Sequence, residues 1–180
     1  MAPFRGRPLV AHTVVAVTEA ITAGTLAGGV AVIPSDAAVL AWQLDQAGLL
    51  LVENPEAATG LASSLKRGLA VLAEAHVPPA GAAVVILADQ PGLRAEVIAR
   101  LVERWRRSGL SARPRYREMP DEPGHPVLLD RSVWPLAATL TGDTGLGSVL
   151  RGDAITLVDV AGANPDVDTP ADLRDLEELS

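Results

Sequence analysis

Short apolar runs alternate with amphipathic segments between Pro8 and Ser108. The apolar runs are rich in β-branched residues and end at turn residues, which is typical of buried strands. The segments between them repeat apolar residues every three or four positions, which is the spacing of one helical face. The predicted strands are Gly29–Ile33, Leu49–Val52 and Ala82–Ala88, and the predicted helices are Pro8–Ala23, Ala37–Ala47, Leu61–Ala75 and Leu93–Ser108. This alternation predicts an α/β fold with a doubly wound, mostly parallel sheet.

The alternation is less regular after Gly109. Ala112–Arg117 is rich in arginine and predicts an edge strand, followed by a polar loop that crosses the sheet. The remaining predicted strands are the one entered through Gly124-His125-Pro126 and Ile155–Val160, and the remaining helices are Ser132–Leu140, Thr144–Leu150 and Thr169–Leu179. The last helix has a well-formed start, because Thr169 stands at the N-cap position and Pro170 at the first helical position.

The composition indicates one globular domain spanning residues 1–180, with a formal net charge of −7 and no cysteine. The absence of cysteine excludes disulfides and thiol chemistry. Clustered positive charge is missing, so we expect no nucleic-acid partner. The longest apolar segment is about half the roughly 18 residues that a bilayer span needs, and no signal-peptide pattern precedes it. We therefore expect a cytoplasmic protein without a membrane partner.

Asp89 follows the apolar run at Val84–Ala88 and precedes a turn at Pro91-Gly92. The run is apolar on both faces, which predicts an interior parallel strand. Ligands of open α/β sheets bind beyond the carboxyl ends of the strands, so Asp89 is a candidate ligand for a metal or a metal-bound phosphate. The alternative is an Asx-type turn in which Asp89 helps to cap the helix that begins near Leu93.

Other loops carry polar residues at the same predicted sheet edge. Gly60–Ser64 places two hydroxyls and a run of free amides in the first turn of a helix, where they can grip a phosphate, or form an ordinary serine-rich helix start. His125, held between a glycine and a proline, can donate to a ligand or be structural. Asp143 and Asp168 can each be helix N-caps.

Two aspartates at the ends of different strands suggest a reaction. Transfer of a nucleotide from a nucleoside triphosphate needs Mg²⁺ held by carboxylate oxygens, and Asp89 and Asp168 can supply them. The sequence has no cysteine nucleophile, no residue cluster with zinc-ligand spacing, no G-x-S-x-G elbow and no Walker A motif.

Five motifs occur in a fixed order along the chain: Gly60-Leu61-Ala62-Ser63-Ser64-Leu65, Leu87-Ala88-Asp89-Gln90-Pro91, Gly124-His125-Pro126, Gly142-Asp143-Thr144-Gly145 and Asp166-Val167-Asp168-Thr169-Pro170-Ala171-Asp172-Leu173. Together they resemble the molybdenum cofactor cytidylyltransferases and the related molybdopterin guanylyltransferases, over about Phe4 to Leu179. The resemblance implies a Rossmann-like, three-layer fold of the nucleotide-diphospho-sugar transferase type. It also implies Mg²⁺-dependent transfer of CMP or GMP from CTP or GTP to molybdenum-molybdopterin, with release of pyrophosphate.

The resemblance also assigns roles to individual positions. Asp89 would be the principal catalytic metal ligand and Asp168 its partner. The nucleotide would lie near Asn54, Gly60, Ser63 and Ser64, and the molybdopterin acceptor near Gln90, Pro91, His125 and Asp143. Proteins that mature molybdoenzymes are the expected macromolecular partners.

Members of that family begin with a strand and a glycine-rich loop carrying Arg and Lys, whereas this sequence starts at Met1-Ala2-Pro3-Phe4-Arg5-Gly6-Arg7. We therefore expect an N-terminally truncated form of the fold. One alternative is a catalytically degenerate member that acts as a binding or scaffold protein in molybdoenzyme maturation. Another is a nucleotidyltransferase with a different phosphorylated acceptor such as phospholactate, although the loops at His125 and Asp143 favour the pterin enzymes.

Overall fold

A computed structural model of the chain describes residues 3–45, 47–74, 79–121, 124–144, 146, 150 and 155–178. Its strands are β1 (Pro3–Phe4), β2 (Arg7–Pro8), β3 (Val30–Pro34), β4 (Leu50–Asn54), β5 (Ala82–Val85), β6 (Ser111–Tyr116), β7 (Val127–Asp130) and β8 (Ile155–Val160). Its α-helices are α1 (Leu9–Thr22), α2 (Ala38–Asp45), α3 (Leu61–Glu74), α4 (Ala95–Ser108), α5 (Trp134–Ala137) and α6 (Pro170–Glu178). Short 3₁₀ helices cover Ala57–Thr59 and Arg131–Val133.

The strands form a four-stranded sheet, a separate two-stranded sheet and a small hairpin. The larger sheet has the order β5-β7-β6-β8, in which β6 and β8 are parallel and β7 is antiparallel to both of its neighbours. The smaller sheet pairs β3 and β4 in parallel, with Val32 opposite Val52. β1 and β2 form an antiparallel hairpin whose turn holds Arg5 at φ 48° and Gly6 at φ 75°.

Helices cover both faces of the four-stranded sheet. Alternate residues of one strand point to opposite faces, and the core divides accordingly. On one face Ala83, Val127 and Leu129 pack with residues of α3 and α5. On the other face Leu128 and Ala112 pack with residues of α1 and α4. This three-layer α/β arrangement confirms the predicted fold class.

Most predicted elements are present with boundaries that differ by a few residues. α1, α3, α4, β3, β4 and β8 all fall on their predicted segments. Gly109, at φ 68°, closes α4 in the left-handed conformation, which suits a glycine after a helix. Thr169 caps α6 as predicted, because its hydroxyl accepts the amides of Ala171 and Asp172 at 3.2 Å.

Two predictions about strand partners were wrong. β5 is not an interior parallel strand, because β7 is its one partner in the described part of the chain and that pairing is antiparallel. It also ends at Val85 rather than Ala88, opposite Val127, and the preceding Pro126 has no amide hydrogen to extend the ladder. An apolar run indicates that both faces of a strand are covered, but it does not indicate whether the neighbouring strand is parallel or antiparallel.

β6 was predicted to be an edge strand and lies inside the sheet, between β7 and β8. β6 pairs with β7 at one position, where Ala112 lies opposite Leu128. Pro114, which has no amide hydrogen, lies beyond that position and therefore breaks no hydrogen bond between β6 and β7. The pairing of β6 with β8 runs over all six residues of both strands. The arginines suggested an edge, yet Arg113 is half-buried and the proline between the arginines is fully buried.

The region after β7 is less helical than predicted. In place of a helix over Ser132–Leu140 there is a 3₁₀ turn followed by the single-turn α5, and Pro135 lies in its first turn. The predicted helix Thr144–Leu150 falls mostly outside the described residues, although Leu146 and Leu150 are buried in the core. No helix of the described part is long and apolar enough to cross a membrane.

A large apolar cavity separates the two sheets. Its volume is about 770 Å³, and its walls are β3, the segment from β5 to Ala88, α1 and α3. Among the described residues β3 pairs with β4 alone and β5 with β7 alone, so one long edge of each strand faces this space. We call it the inter-sheet cavity.

Candidate active site

Asp89 lies just beyond the carboxyl end of β5, as the sequence predicted. Its main-chain oxygen accepts the amide of Val167 at 3.1 Å, which joins this turn to the segment after β8. Its side-chain Oδ1 is buried and has no hydrogen-bond partner. The capping alternative is not supported, since α4 is preceded by Arg94 and has no side-chain cap. A buried carboxylate oxygen without a partner is costly in a native protein, and a ligand or a metal ion would satisfy it.

The surroundings of Asp89 disfavour the charged form of its carboxyl group. Burial raises the pKa of Asp89 above its ordinary value; a hydrogen bond from its own backbone opposes this, and the nearby negative charges of Asp166 and Asp168 raise it further. Asp166 and Asp168 thus both add negative charge near Asp89 at this edge of the sheet. A cation between them would relieve both the desolvation and the mutual repulsion.

A buried amide network holds the carboxylates in place. Gln90 is 5% exposed and donates through Nε2 to Oδ1 of Asp166. Asn164 is 3% exposed and donates through Nδ2 to Oε1 of Gln90 at 3.1 Å. The two amides therefore cross-link the turn after β5 to the segment after β8. The side chain of Gln90 is used in this cross-link. Gln90 and Pro91 are both buried.

Asp168 lies beside this network, at the start of α6. Its amide donates to Oδ2 of Asp172 at 3.0 Å, so its backbone position is set by the helix cap. Its side chain is exposed, as is that of Asp166. Asp168 lies close enough to Asp89 for its charge to raise the pKa of Asp89.

His125 stands in a turn that two buried side chains fix. Its carbonyl oxygen accepts the Tyr116 hydroxyl at 2.9 Å and Nδ2 of Asn164 at 3.3 Å, and the His125-Pro126 peptide is cis. Its Nδ1 is buried without a partner. Burial, together with the charge of Arg113, lowers the pKa of His125, so the imidazole is neutral at pH 7. One ring nitrogen is thus available to a ligand.

The predicted phosphate grip at the start of α3 is occupied by protein. The amide of Leu61 donates to Oδ1 of Asp143 at 3.2 Å, and the amide of Ala62 donates to the Gly142 oxygen at 3.1 Å. The prediction of free amides at Gly60–Ser64 was therefore wrong. Asp143 caps α3 from a distant loop, a contact that no local sequence pattern reports.

Asn54, at the end of β4, organises the two serines. Its Nδ2 donates to the hydroxyls of Ser63 at 2.9 Å and Ser64 at 3.0 Å, while its Oδ1 accepts the amide of Glu56. Asn54 is 3% exposed, so it acts as a brace inside the loop. Ser64 lines the inter-sheet cavity together with His125, which places the start of α3 on the same side as the Asp89 group.

Gly60 marks the closest approach between these loops. Its φ is 114°, and a Cβ atom there would lie 2.4 Å from the carbonyl carbon of Gly142. Only glycine fits such a contact. On the outer side of this junction is a second hollow of about 640 Å³, lined by Asn54, Ser63, Lys66 and Arg67 among others.

The structure thus divides the predicted site residues into two groups. Asp89, Gln90, Pro91, His125 and Asp168 gather at the ends of β5, β7 and β8, while Asn54, Gly60, Ser63, Ser64 and Asp143 gather at the start of α3. Neither Asn164 nor Tyr116 was among the residues predicted from the sequence. Asn164 had a weak signal, as a polar residue in the turn beyond the carboxyl end of β8. Tyr116 had none, because its partner is a main-chain oxygen.

The donor set fits a magnesium or manganese ion bound jointly with phosphate. Within the described residues no group of three or more His, Cys, Asp or Glu side chains forms a closed metal cage. Mg²⁺ does not need one, since it is usually held by one or two carboxylates together with water and substrate phosphates. The unpartnered Oδ1 of Asp89, with Asp168 beside it, matches this mode.

Several solved structures resemble this one. Rv0371c from Mycobacterium tuberculosis H37Rv matches at 25% identity with a TM-score of 0.74, covering 99% of this chain and 88% of that one. Its complex with manganese matches at 23% identity and a TM-score of 0.75, covering 100% and 91% of the two chains. A nucleotidyl transferase from Methanothermobacter thermautotrophicus matches at 18% identity with a TM-score of 0.73, covering 98% of this chain and 82% of that one. Among curated proteins no sequence matches.

A family model settles the classification. The model of the MobA-like NTP transferase domain matches residues 1–160, which is most of the chain. That match agrees with the three-layer fold and with aspartates placed at the carboxyl ends of the strands. The chain is therefore a nucleotidyltransferase that belongs to the MobA-like NTP transferase domain family.

Proposed function

We propose that this enzyme transfers CMP or GMP from CTP or GTP to the phosphate of molybdenum-molybdopterin and releases pyrophosphate. The observation that carries the proposal is the buried, unpartnered Oδ1 of Asp89, near which Asp166 and Asp168 add negative charge. A site of this kind attracts a divalent cation, and a cation bound there attracts the triphosphate. We place the reaction in the cytoplasm, where nucleoside triphosphates and Mg²⁺ are available, with molybdoenzyme maturation proteins as recipients of the product.

In this proposal Asp89 and Asp168 hold Mg²⁺. An ion held there would supply neutralisation of the phosphate charge that develops when pyrophosphate is released. Burial leaves the Asp89 carboxylate poorly solvated, and its unpartnered Oδ1 would be available to the ion. The manganese in the mycobacterial structure supports a divalent ion in a protein of this fold.

The remaining residues orient the two substrates. The hydrogen bonds from Asn54 hold Ser63 and Ser64 in position beside the proposed nucleotide site. The close contact of Gly60 with Gly142 holds the loop that precedes these serines. On the acceptor side neutral His125 offers a ring nitrogen, and Asp143 sets the loop that borders the site. Gln90 and Pro91 shape the acceptor side indirectly, because the hydrogen bonds of Gln90 to Asp166 and Asn164 hold the turn after β5 against the segment after β8.

The test is pyrophosphate release with CTP or GTP, Mg²⁺ and molybdenum-molybdopterin, with the dinucleotide product identified by mass spectrometry. Asp89→Asn should lower kcat by roughly 10³-fold, because the variant loses the charge that holds the ion. Asp45→Asn, an exposed carboxylate in α2, is the matched control and should retain full activity. Absence of product with both nucleotides and the pterin would rule out this acceptor, and full activity of Asp89→Asn would rule out the metal role.

A further inference from the structure

The side chain of Asn164 joins three segments at the edge of the candidate site. It lies in the segment after β8, and its Nδ2 donates to Oε1 of Gln90 at 3.1 Å and to the main-chain oxygen of His125 at 3.3 Å. Gln90 belongs to the turn after β5, and His125 to the turn before β7. One buried amide group, in a residue that is 3% exposed, therefore bonds to two loops that are distant from it in the sequence.

The carboxylate at the end of this network determines which way each amide points. A carboxylate accepts hydrogen bonds and cannot donate them, so Asp166 accepts from Nε2 of Gln90. Gln90 is left with Oε1 to offer, and Asn164 must meet that oxygen with Nδ2. The second hydrogen of the same nitrogen serves the His125 oxygen. The position therefore needs two N–H donors on one nitrogen, which asparagine supplies from a short side chain.

The oxygen of the same amide has no partner. Within the described part of the chain, Oδ1 of Asn164 is buried and accepts no hydrogen bond. It faces the turn after β5, where a Cβ added to Gly92 would lie 3.0 Å from it. A buried oxygen without a donor lowers the stability of the folded chain. Such a cost beside a candidate site indicates that the two bonds from Nδ2 are retained for function.

The segments that Asn164 joins carry the two sides of the candidate site. Asp89 lies in the turn after β5, on the proposed metal side, and His125 lies on the proposed acceptor side. A main-chain bond already ties the metal side to the segment after β8, since the amide of Val167 donates to the Asp89 oxygen at 3.1 Å. Among the described residues the His125 turn has no main-chain bond to that segment and is joined to it by Asn164.

Tyr116 holds the same oxygen of His125 from another element. Its hydroxyl donates to that oxygen at 2.9 Å, and its ring is buried at the end of β6. Tyr116 thus anchors the turn to the sheet, whereas Asn164 anchors it to the segment that carries Asp166 and Asp168. Loss of the Asn164 bonds would leave the turn attached to the sheet but no longer held against the carboxylates.

We propose that Asn164 is a positioning residue that sets the distance between the acceptor-side turn at His125 and the metal-side carboxylate of Asp89. This inference rests on the proposed function for what each side binds. Asn164 acts through Gln90 and His125, which lie between it and the two substrates. Polar groups that hold ligand-binding residues in place in this way change affinity or activity by about 10- to 100-fold when they are replaced.

Steady-state kinetics of Asn164→Leu test this role, because leucine is similar in shape to asparagine and cannot donate. The KM for the acceptor should rise about 10-fold. The KM for the nucleotide should stay unchanged, because Asn54 and the two serines form a separate hydrogen-bonded group. Equal changes in the two KM values would overturn the proposal.

Ser111→Ala is the matched control. Ser111 is also buried, its hydroxyl accepts the amide of Asp130 at 3.1 Å, and it lies at the opposite end of β6 from Tyr116. This variant should lower the Tm and leave both KM values unchanged. An acceptor KM that rises as much in Ser111→Ala as in Asn164→Leu would show that general loss of stability is the cause, and would overturn the proposal.

A double-variant comparison needs no activity, so it separates this role from the identity of the acceptor. Tyr116→Phe and Asn164→Leu each leave one donor on the His125 oxygen, and the double variant leaves none. Its loss of Tm should therefore exceed the sum of the two single losses. Additive losses would show that the two side chains do not share this oxygen, and the proposal would fail even if the acceptor is confirmed.

The distance itself can be measured with Mn²⁺ alone. The chain has three histidines, so the ring signals of His125 can be assigned with a His125→Gln variant. Bound Mn²⁺ should broaden these signals, and at equal Mn²⁺ occupancy the broadening should differ in Asn164→Leu, because it depends steeply on distance. Identical broadening in the two proteins would overturn the proposal. No binding of Mn²⁺ to the unsubstituted chain would instead remove the metal role of Asp89, and with it the metal side that Asn164 is proposed to position.

Discussion

Asp89 combines two properties that conflict in a protein without a ligand. Its carboxylate is partly buried and its Oδ1 has no partner, yet the backbone around it is firmly held through Val167. Such a residue lowers the stability of the folded chain so that its charge can serve a ligand. Activity and stability therefore respond to its replacement in opposite directions.

Asp89→Asn should make the protein more stable at pH 7 and inactive. Because the folded pKa of Asp89 is raised, its contribution to stability is fully present below the unfolded value of 3.8 and is lost as the pH rises through the folded value. Removing the charge restores that stability, by about 2 °C in Tm after allowance for solvent screening. Melting curves from pH 7 down to pH 4 measure the gain, which should shrink with falling pH. A gain that is constant across this range, or one shared by Asp45→Asn, would contradict the assignment.

Tyr116 should stay protonated in strongly alkaline solution. Burial raises the pKa of its hydroxyl to about 12, in spite of the opposing charge of Arg94. It is the single tyrosine of the chain, so absorbance at the phenolate band reports this group alone. Titration near the ordinary value of 10 would show that the hydroxyl is not buried as the structure places it. Tyr116→Phe should cost about 0.5–1 kcal/mol of unfolding free energy, because Asn164 still satisfies that oxygen.

Sequence patterns located the residues whose roles depend on local position. Asp89 follows an apolar run, and Thr169 precedes a helix, so both could be placed from their neighbours alone. The amides of Gln90 and Asn164 meet across 74 positions, and Asp143 caps Leu61 across 82. No periodicity or spacing reports such contacts, and for this reason the predicted amide grip at Gly60–Ser64 was wrong.

At the scale of elements, α3 is fixed at its start by the loop at Gly142-Asp143. The amides of Leu61 and Ala62 both donate to that loop, and Gly60 approaches its backbone more closely than any side chain permits. The junction joins the end of β4 to the segment after α5. The residues at the start of α3 therefore keep their position relative to Asp143 only while this junction is intact.

Gly60→Ala should destabilise the chain by about 3 kcal/mol or more. The added Cβ would lie 2.4 Å from Gly142, in a backbone conformation with φ 114° that disfavours any side chain. Gly28→Ala is the matched control, because a Cβ there meets nothing within 4 Å. Urea unfolding of both variants measures the difference. Equal midpoints for the two would show that the loops separate easily.

Element types were predictable and their partners were not. The apolar run at Val84–Ala88 indicated a strand, although β5 covers Ala82–Val85 and is only half-buried along most of its length. The arginines of Ser111–Tyr116 did not prevent β6 from lying inside the sheet. Hydrophobic patterning records how much of a strand is covered. Which strand lies beside it depends on the return of the chain after residue 117, through a loop whose course no local rule specifies.

At the scale of the whole molecule, ligand binding should appear as a change in global stability. CTP or GTP at 100 times its Kd stabilises the folded chain by about 2.7 kcal/mol, or roughly 5–10 °C in Tm. Because Asp89 would hold the ion that offsets the charge of the triphosphate, the shift should require Mg²⁺ or Mn²⁺ and should be lost in Asp89→Asn. Thermal denaturation with nucleotide, metal, or both measures this dependence. The same shift with nucleotide alone would mean that the carboxylates do not hold the ion.

A sheet in two parts unfolds differently from a continuous one. Among the described residues no strand ladder crosses the inter-sheet cavity, and α1 and α3 line the space between β3 and β5. Cooperativity depends on shared contacts, and the smaller sheet with α2 can open as a separate unit at lower free energy than the larger one. The calorimetric enthalpy of unfolding should then exceed the van't Hoff enthalpy.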